Sequence, residues 1–258
     1  MNSHALLGVY AFLFGLALGS FMNVCIYRLP RRKSIVYPPS ACPYCGERIR
    51  FYHNIPLISY LILLGRCKHC GRPIPWHYPA VEALAGWLSL ALFIRYGVSY
   101  QYVLFLFFIA TLVTISFIDL FHQIIPDVLS LSGIAVGWGA VFVTRHISWT
   151  DSLIGIVAGG GGLLLIAWAY KGLTGREGMG GGDVKLLAMI GAWLGWRSLP
   201  FVVLISSMTG ALAGLIFILA AGKGYRVKIP FGPFLSLGTL IFFFFGPQLT
   251  RWYFHLLN

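Results

Sequence analysis

Long apolar runs separated by short polar turns dominate the chain. They fall at 5–27, 78–95, 100–118, 128–143, 152–170, 184–196, 199–221 and 232–250. Most approach the ~20 apolar residues that cross a hydrocarbon core. The pattern predicts an all-α polytopic membrane protein with about eight transmembrane helices. Two runs are short: at 1.5 Å per residue, 128–143 rises about 24 Å and 184–196 about 20 Å, against a core of ~30 Å.

Composition agrees with this reading. The chain is 58% hydrophobic with 10% charged residues and a mean hydropathy of +0.81, a balance that soluble domains do not show. The first run follows MNSH, without Lys or Arg, and lacks a small-residue cleavage site, so it is expected to be a retained span. The cluster YRLPRRK after it places 28–77 on the cytoplasmic side and the N-terminus outside. With eight spans, fifteen of the 19 Lys and Arg residues fall on the inner side. The net charge of +12 therefore reads as topogenic, with affinity for anionic lipid as a by-product, and no nucleic-acid partner is expected.

One polar insertion, 28–77, interrupts the spans and divides the chain into a first helix (1–27), a small cytoplasmic domain (28–77) and a larger membrane domain (78–258). About fifty residues seldom hold a fold by burial alone. Here Cys42-Pro-Tyr-Cys45 and Cys67-Lys-His-Cys70 form two matching CxxC pairs, each followed by a glycine, Gly46 and Gly71. Four thiolates at this spacing suit one tetrahedral zinc ion, and glycine permits the tight turn after each pair. Two disulfides are the competing use of the same cysteines, disfavoured on the reducing side of a membrane. His53, His69 and His77 are spare ligand types, and Cys25 reads as a packed apolar side chain. A closed four-cysteine site is structural, because it has no open coordination position.

The chemistry is sought in the acids, of which there are only seven. Asp119, in IDLFHQIIPD, and Asp183, in GMGGGDVK, lie where apolar runs meet polar turns, and an ionisable group at bilayer depth is costly unless solvated or paired. Asp127, after Pro126, fits a helix N-cap. The short runs after Asp119 and Asp183 predict that both are recessed below the surface, where irregular backbone survives only against protein or a wet cavity. Two carboxylates in such a place share a proton and suit water-mediated amide hydrolysis. A proton or ion pathway uses the same residue types.

These motifs together resemble the type IV prepilin peptidases. The resemblance rests on GSFMNVCIYRLP (19–30), the paired CPYC and CKHC, NIPLISYLILLGRC (54–67), YPAVEAL (78–84), DLFHQIIPD (119–127) and GMGGGDVKLLAMIGAWLGW (178–196). It implies that Asp119 and Asp183 are the catalytic carboxylates, and that Gly180 and Gly182 are the glycines of the GxGD motif. It also implies cleavage of type IV prepilins or pseudopilins of type II secretion, on the cytoplasmic face of a bacterial inner membrane, after a Gly that precedes their apolar helix. N-methylation of the new N-terminus, usually Phe, with S-adenosylmethionine is implied as a second activity. The residues that bind this cofactor are not defined by any GxGxxG fingerprint. Asn23, Arg28 and Glu82 are candidates because they are polar within the resembling motifs. Topogenic charge for Arg28 and helix capping for Glu82 are the plainer roles. The alternative function is a proton-coupled carrier with a zinc-organised cytoplasmic gate, against which no repeated halves are visible.

Overall fold

The computed structural model describes residues 3–50, 52, 54–175, 180–221 and 229–257. Its helices are α1 (Ser3–Arg28), α2 (Ile58–Ile62), α3 (His77–Tyr96), α4 (Tyr100–His122), α5 (Asp127–Thr144), α6 (Trp149–Thr174), α7 (Gly181–Leu194), α8 (Leu199–Ala221) and α9 (Gly232–Leu257). Among the described residues, β-structure is limited to two isolated antiparallel bridges. Among the described residues seven helices are long and apolar enough to cross a membrane, all except α2 and α7. The eighth apolar run is α7, whose 14 residues rise about 21 Å. The chain divides into two compact units, Met1–Thr114 and Ile115–Asn258.

In the first unit α1 packs against α3 through small residues. A Cβ on Gly15 would strike Ser89 and the Ala85 carbonyl, and one on Gly19 would strike the Glu82 backbone. With glycines four residues apart, the helix backbones come close enough for polar groups to find partners within the apolar layer. Ser89 Oγ donates to the Ala11 carbonyl at 2.6 Å, and Asn23 Nδ2 donates to the Tyr78 carbonyl at 3.0 Å.

The second unit is built around α7, which is buried without a break from Leu186 to Trp193. Glycines on its neighbours make the room: the space beside Gly133 of α5 is filled by Met189, that beside Gly137 by Trp193, and Gly155 of α6 meets the Gly191 backbone directly. Polar groups again bond across the contacts, with Trp193 Nε1 donating to the Gly133 carbonyl at 2.9 Å and Ser152 Oγ to the Ala192 carbonyl at 2.7 Å. A helix too short to span the bilayer is thus enclosed by longer ones.

Three local expectations change. The run expected to end at 118 continues to His122, so Asp119 lies inside α4, one turn before its end. The helix stops where Gln123 adopts a φ of 54° and its N–H bonds the Asp119 carbonyl at 2.8 Å. Asp127 is not the N-cap of α5. Pro126 occupies that position with extended backbone, and the Asp127 carboxylate instead pairs with Lys185 Nζ at 2.6 Å. Finally α5 has 18 residues, about 27 Å, so its shortness contributes less to any recess than that of α7.

A methyl group on Gly191 would press into the Gly155 carbonyl, with rigid backbone on both sides. Gly191→Ala is expected to destabilise the protein by about 1–3 kcal/mol, read as a lower unfolding temperature in detergent. Gly161→Ala, where nothing lies within 4 Å, is expected to leave that temperature unchanged or raise it slightly.

Candidate functional site

Asp119 is 6% exposed, on the inner side of a helix made largely of apolar residues. Its Oδ2 accepts the backbone N–H of Gly232 at 2.9 Å. Gly232 opens α9, so this N–H is one of the first-turn donors without an intrahelical partner, at the positive end of the helix dipole. A Cβ on Gly232 would lie 2.6 Å from Asp119 Oδ2, so a larger residue there would have to displace the carboxylate. The run around Gly232 was not singled out in the sequence. Its signal, a glycine between Phe231 and Pro233 at the start of an apolar run, becomes distinctive only beside the carboxylate.

Asp183 sits in the first turn of α7, half-buried. Gly180 is the N-cap with extended backbone, and the Asp183 N–H bonds its carbonyl at 3.2 Å. Gly182 faces Ile125 in the connection from α4 to α5, and a Cβ there would lie 2.9 Å from the Ile125 Cβ. Gly181 has open space around it. Gly178 lies outside the described residues. The close approach at Gly182 brings the start of α7 to the end of α4, and the carboxylate of Asp183 feels the charge of Asp119. The two predicted acids therefore belong to one electrostatic site within the second unit. Asp127 is paired instead with Lys185.

The four cysteines of the first unit also come together. Each pair forms the same turn: the Gly46 N–H bonds the Cys42 carbonyl and the Gly71 N–H the Cys67 carbonyl, both at 2.9 Å, while the Cys42 and Cys67 N–H groups bond the Glu47 and Arg72 carbonyls, also at 2.9 Å. Gly46 and Gly71 take φ of 73° and 68°, the left-handed conformation expected of them. The bridges Ala41–Arg48 and Arg66–Pro73 close the two turns identically. All four sulfurs lie within 4.8 Å of one another, and Cys42 Sγ is 3.9 Å from Cys70 Sγ. A tetrahedron with metal–sulfur bonds of ~2.3 Å has edges of about 3.8 Å, so the cluster has the dimensions of a metal site. The backbone N–H groups of Cys70 and His69 pull the Cys67 thiol down to about 6, whereas at Cys45, against the pull of the Glu47 backbone, desolvation and the three neighbouring thiols push the thiol up to about 11; a bound metal would take all four as thiolates. His69 and His77 are not part of the cluster, and His53 lies outside the described residues.

Asn23, Arg28 and Glu82 line one cavity of about 420 Å³ in the first unit, together with Tyr27, Tyr78 and the cysteine turns. Both arms of the Arg28 guanidinium are engaged, donating to the Ser34 carbonyl at 2.9 Å and the Pro38 carbonyl at 2.7 Å. Arg28 thus holds the loop after α1. Glu82 is not a helix cap: its Oε2 accepts the Leu57 N–H at 2.9 Å, tying the loop before α2 to α3.

A multi-span helical protein with two interacting aspartates and a separate four-thiol module defines a recognisable class. Residues 13–96 match the bacterial peptidase A24 N-terminal domain family, and residues 106–215 match the type IV leader peptidase family. The chain is 39% identical to the prepilin leader peptidase/N-methyltransferase of Aeromonas hydrophila, over 94% of this chain and 92% of that protein. It is likewise 39% identical to the proteins of the same name from Pseudomonas aeruginosa, over 93% and 91%, and Legionella pneumophila, over 93% and 92%. The chain belongs to the type IV leader peptidase family. No solved structure matches it.

The four-thiol geometry carries its own test. Purified protein is expected to hold one metal ion per chain by elemental analysis. Cys42→Ser or Cys67→Ser should reduce this to well below half occupancy and make residues 40–74 protease-sensitive.

Proposed function

We propose that this protein is a membrane aspartic endopeptidase that removes the basic leader from type IV prepilins or pseudopilins at a Gly-Phe-type bond, with Asp119 and Asp183 as its catalytic pair. The observation that carries this is that Asp183 lies within electrostatic range of Asp119, which is itself anchored on the Gly232 N–H. The names of the relatives support the same reading. A carrier finds no support among them.

The anchor divides the roles. A carboxylate that accepts a backbone N–H at a helix N-terminus is stabilised in its ionised form, which makes Asp119 the base and leaves the shared proton on Asp183. Asp119 takes a proton from water as the oxygen attacks the scissile carbonyl, and Asp183 donates its hydrogen to the carbonyl oxygen. A proton then passes to the amide nitrogen as the C–N bond breaks. The open space at Gly181 supports the approach of an extended substrate backbone beside Asp183. The cleaved bond lies where a polar leader meets an apolar helix, which suits carboxylates near the ends of membrane helices.

The protein is placed in the bacterial inner membrane with its N-terminus outside and the aspartates open to the cytoplasm, as the distribution of basic residues supports. The metal is zinc, held by Cys42, Cys45, Cys67 and Cys70 in a closed structural role. The second activity is N-methylation of the new N-terminus. S-adenosylmethionine, when bound, would supply the methyl group for that nitrogen.

Asp119→Asn and Asp183→Asn are each expected to lower leader removal by at least ~10³-fold, the scale of losing an essential acid or base, while insertion and metal content are preserved. Near-normal cleavage by either variant contradicts the assignment. Gly232→Ala displaces Asp119 without altering a titratable group, and is expected to lower kcat about tenfold or more with little change in KM.

A further inference from the structure

The short helix α2 is built inside out. A helix in water turns its apolar side chains inward and its polar ones outward. In α2 the buried residue is Ser59, whose Oγ accepts the Ile55 N–H at 3.0 Å and donates to the Tyr52 carbonyl at 3.3 Å. The outward side chains are Ile58, Leu61 and Ile62, the last two 69% and 75% exposed, and Leu64 beyond the helix is 84% exposed. The backbone is bent to present them. Leu57 and Leu64, which bracket the helix, hold φ of 59° and 49°, where bulky side chains are seldom found and where local strain points to a function.

The depth of this surface follows from α3. Its 20 residues rise about 30 Å, the thickness of the hydrocarbon core, so His77 stands at one edge of that core. Glu82 lies five residues further in, about 7.5 Å by the same rise. Its carboxylate accepts the Leu57 N–H at the start of α2, and helical side chains lean back towards the N-terminus. The start of α2 therefore lies between the edge of the core and the level of Glu82. This is the zone in which interfacial helices bury their apolar faces, ~5–10 Å deep. Trp76, exposed at the N-cap of α3, is the residue type that marks such a boundary.

Charge complements the same layer. Residues 28–77 hold nine Lys and Arg against one acid, Glu47. Arg66 and Lys68 follow the apolar loop directly, are exposed, and form no ion pair among the described residues. Unpaired cations beside an apolar surface at a membrane edge suit anionic lipid head groups.

We propose that residues 58–64 form a wedge seated in the interfacial layer of the bilayer, with Arg66 and Lys68 against anionic head groups. The wedge leads straight into the four-thiol module. The Gly65 carbonyl accepts the Ile74 N–H at 2.7 Å and Arg66 bridges to Pro73, so the turn from Cys67 to Cys70 grows from its end. The module is thus fastened to the membrane surface between α1 and α3 rather than hanging from them as a free domain.

The test uses the full-length protein in vesicles of phosphatidylcholine and phosphatidylglycerol that contain a phospholipid with a diazirine in its acyl chain. After irradiation, mass spectrometry maps the lipid adducts, with those on the long helices as internal standard. Adducts on 58–64 are expected, falling about fivefold or more in an Ile62→Asp, Leu64→Asp double variant that keeps its metal. Labelled long helices with no adduct on 58–64 of the wild-type protein overturn the wedge, whatever the variant does. A second copy of the chain covering this face would give that same absence. Vesicles of phosphatidylcholine alone are expected to lower the labelling of 58–64 about twofold or more; equal labelling overturns the role given to Arg66 and Lys68.

Discussion

The bond from the Gly232 N–H to Asp119 Oδ2 meets a problem shared by every polar group buried among the membrane helices. In an apolar surround there is no water to make up for a missing partner, so each donor and acceptor must be matched within the protein. Asp119 obtains its partner from a residue 113 positions away, at a helix start where a backbone donor is free for the purpose. The match also orders the fold locally, because it requires the end of α4 to meet the start of α9 with no side chain between them. In the proposed mechanism the difference in role between the two aspartates follows from the same contact, since only one of them receives that N–H.

The second requirement is close packing without bulk. Gly133, Gly137, Gly155 and Gly159 clear a path along α5 and α6 for α7, which carries Asp183 in its first turn. Because α7 is short and enclosed, its N-terminal end and Asp183 need not lie at the surface of the bilayer. Gly182 then admits Ile125 and brings the glycine-rich start of α7 to the helix that bears Asp119. These glycines are thus contact surfaces, whereas at Gly46, Gly71 and a few turns a positive φ is the reason for glycine.

Much of this was legible in the sequence. Apolar run length alone located every long helix, with ends within about four residues except at α9, which runs on from 250 to Leu257, because membrane spans must meet a fixed thickness. The cysteine spacing announced the four-thiol cluster, because two CxxC turns have few other uses. Boundaries near charged residues were misplaced for one reason: a carboxylate was taken to end a helix, whereas Asp119 is buried inside one and Asp127 follows a proline N-cap. The partners of these acids, Gly232 and Lys185, were not legible, since nothing local marks a glycine or lysine as the partner of a residue 113 or 58 positions away. The depth of α2 was equally hidden, for it is set by the Glu82 carboxylate that takes the Leu57 N–H.

The two units hold different chemical groups, a carboxylate pair in one and a thiol-walled cavity in the other, and the proposed proteolysis depends on the proximity of Asp119 and Asp183. The most direct measurement is oxidative or short-reagent cross-linking of an Asp119→Cys, Asp183→Cys double variant in the membrane, with the product identified by mass spectrometry. A cross-linked peptide pair joining positions 119 and 183 is expected in high yield. Two cysteines that both react with a small thiol reagent yet never join would contradict a shared catalytic site.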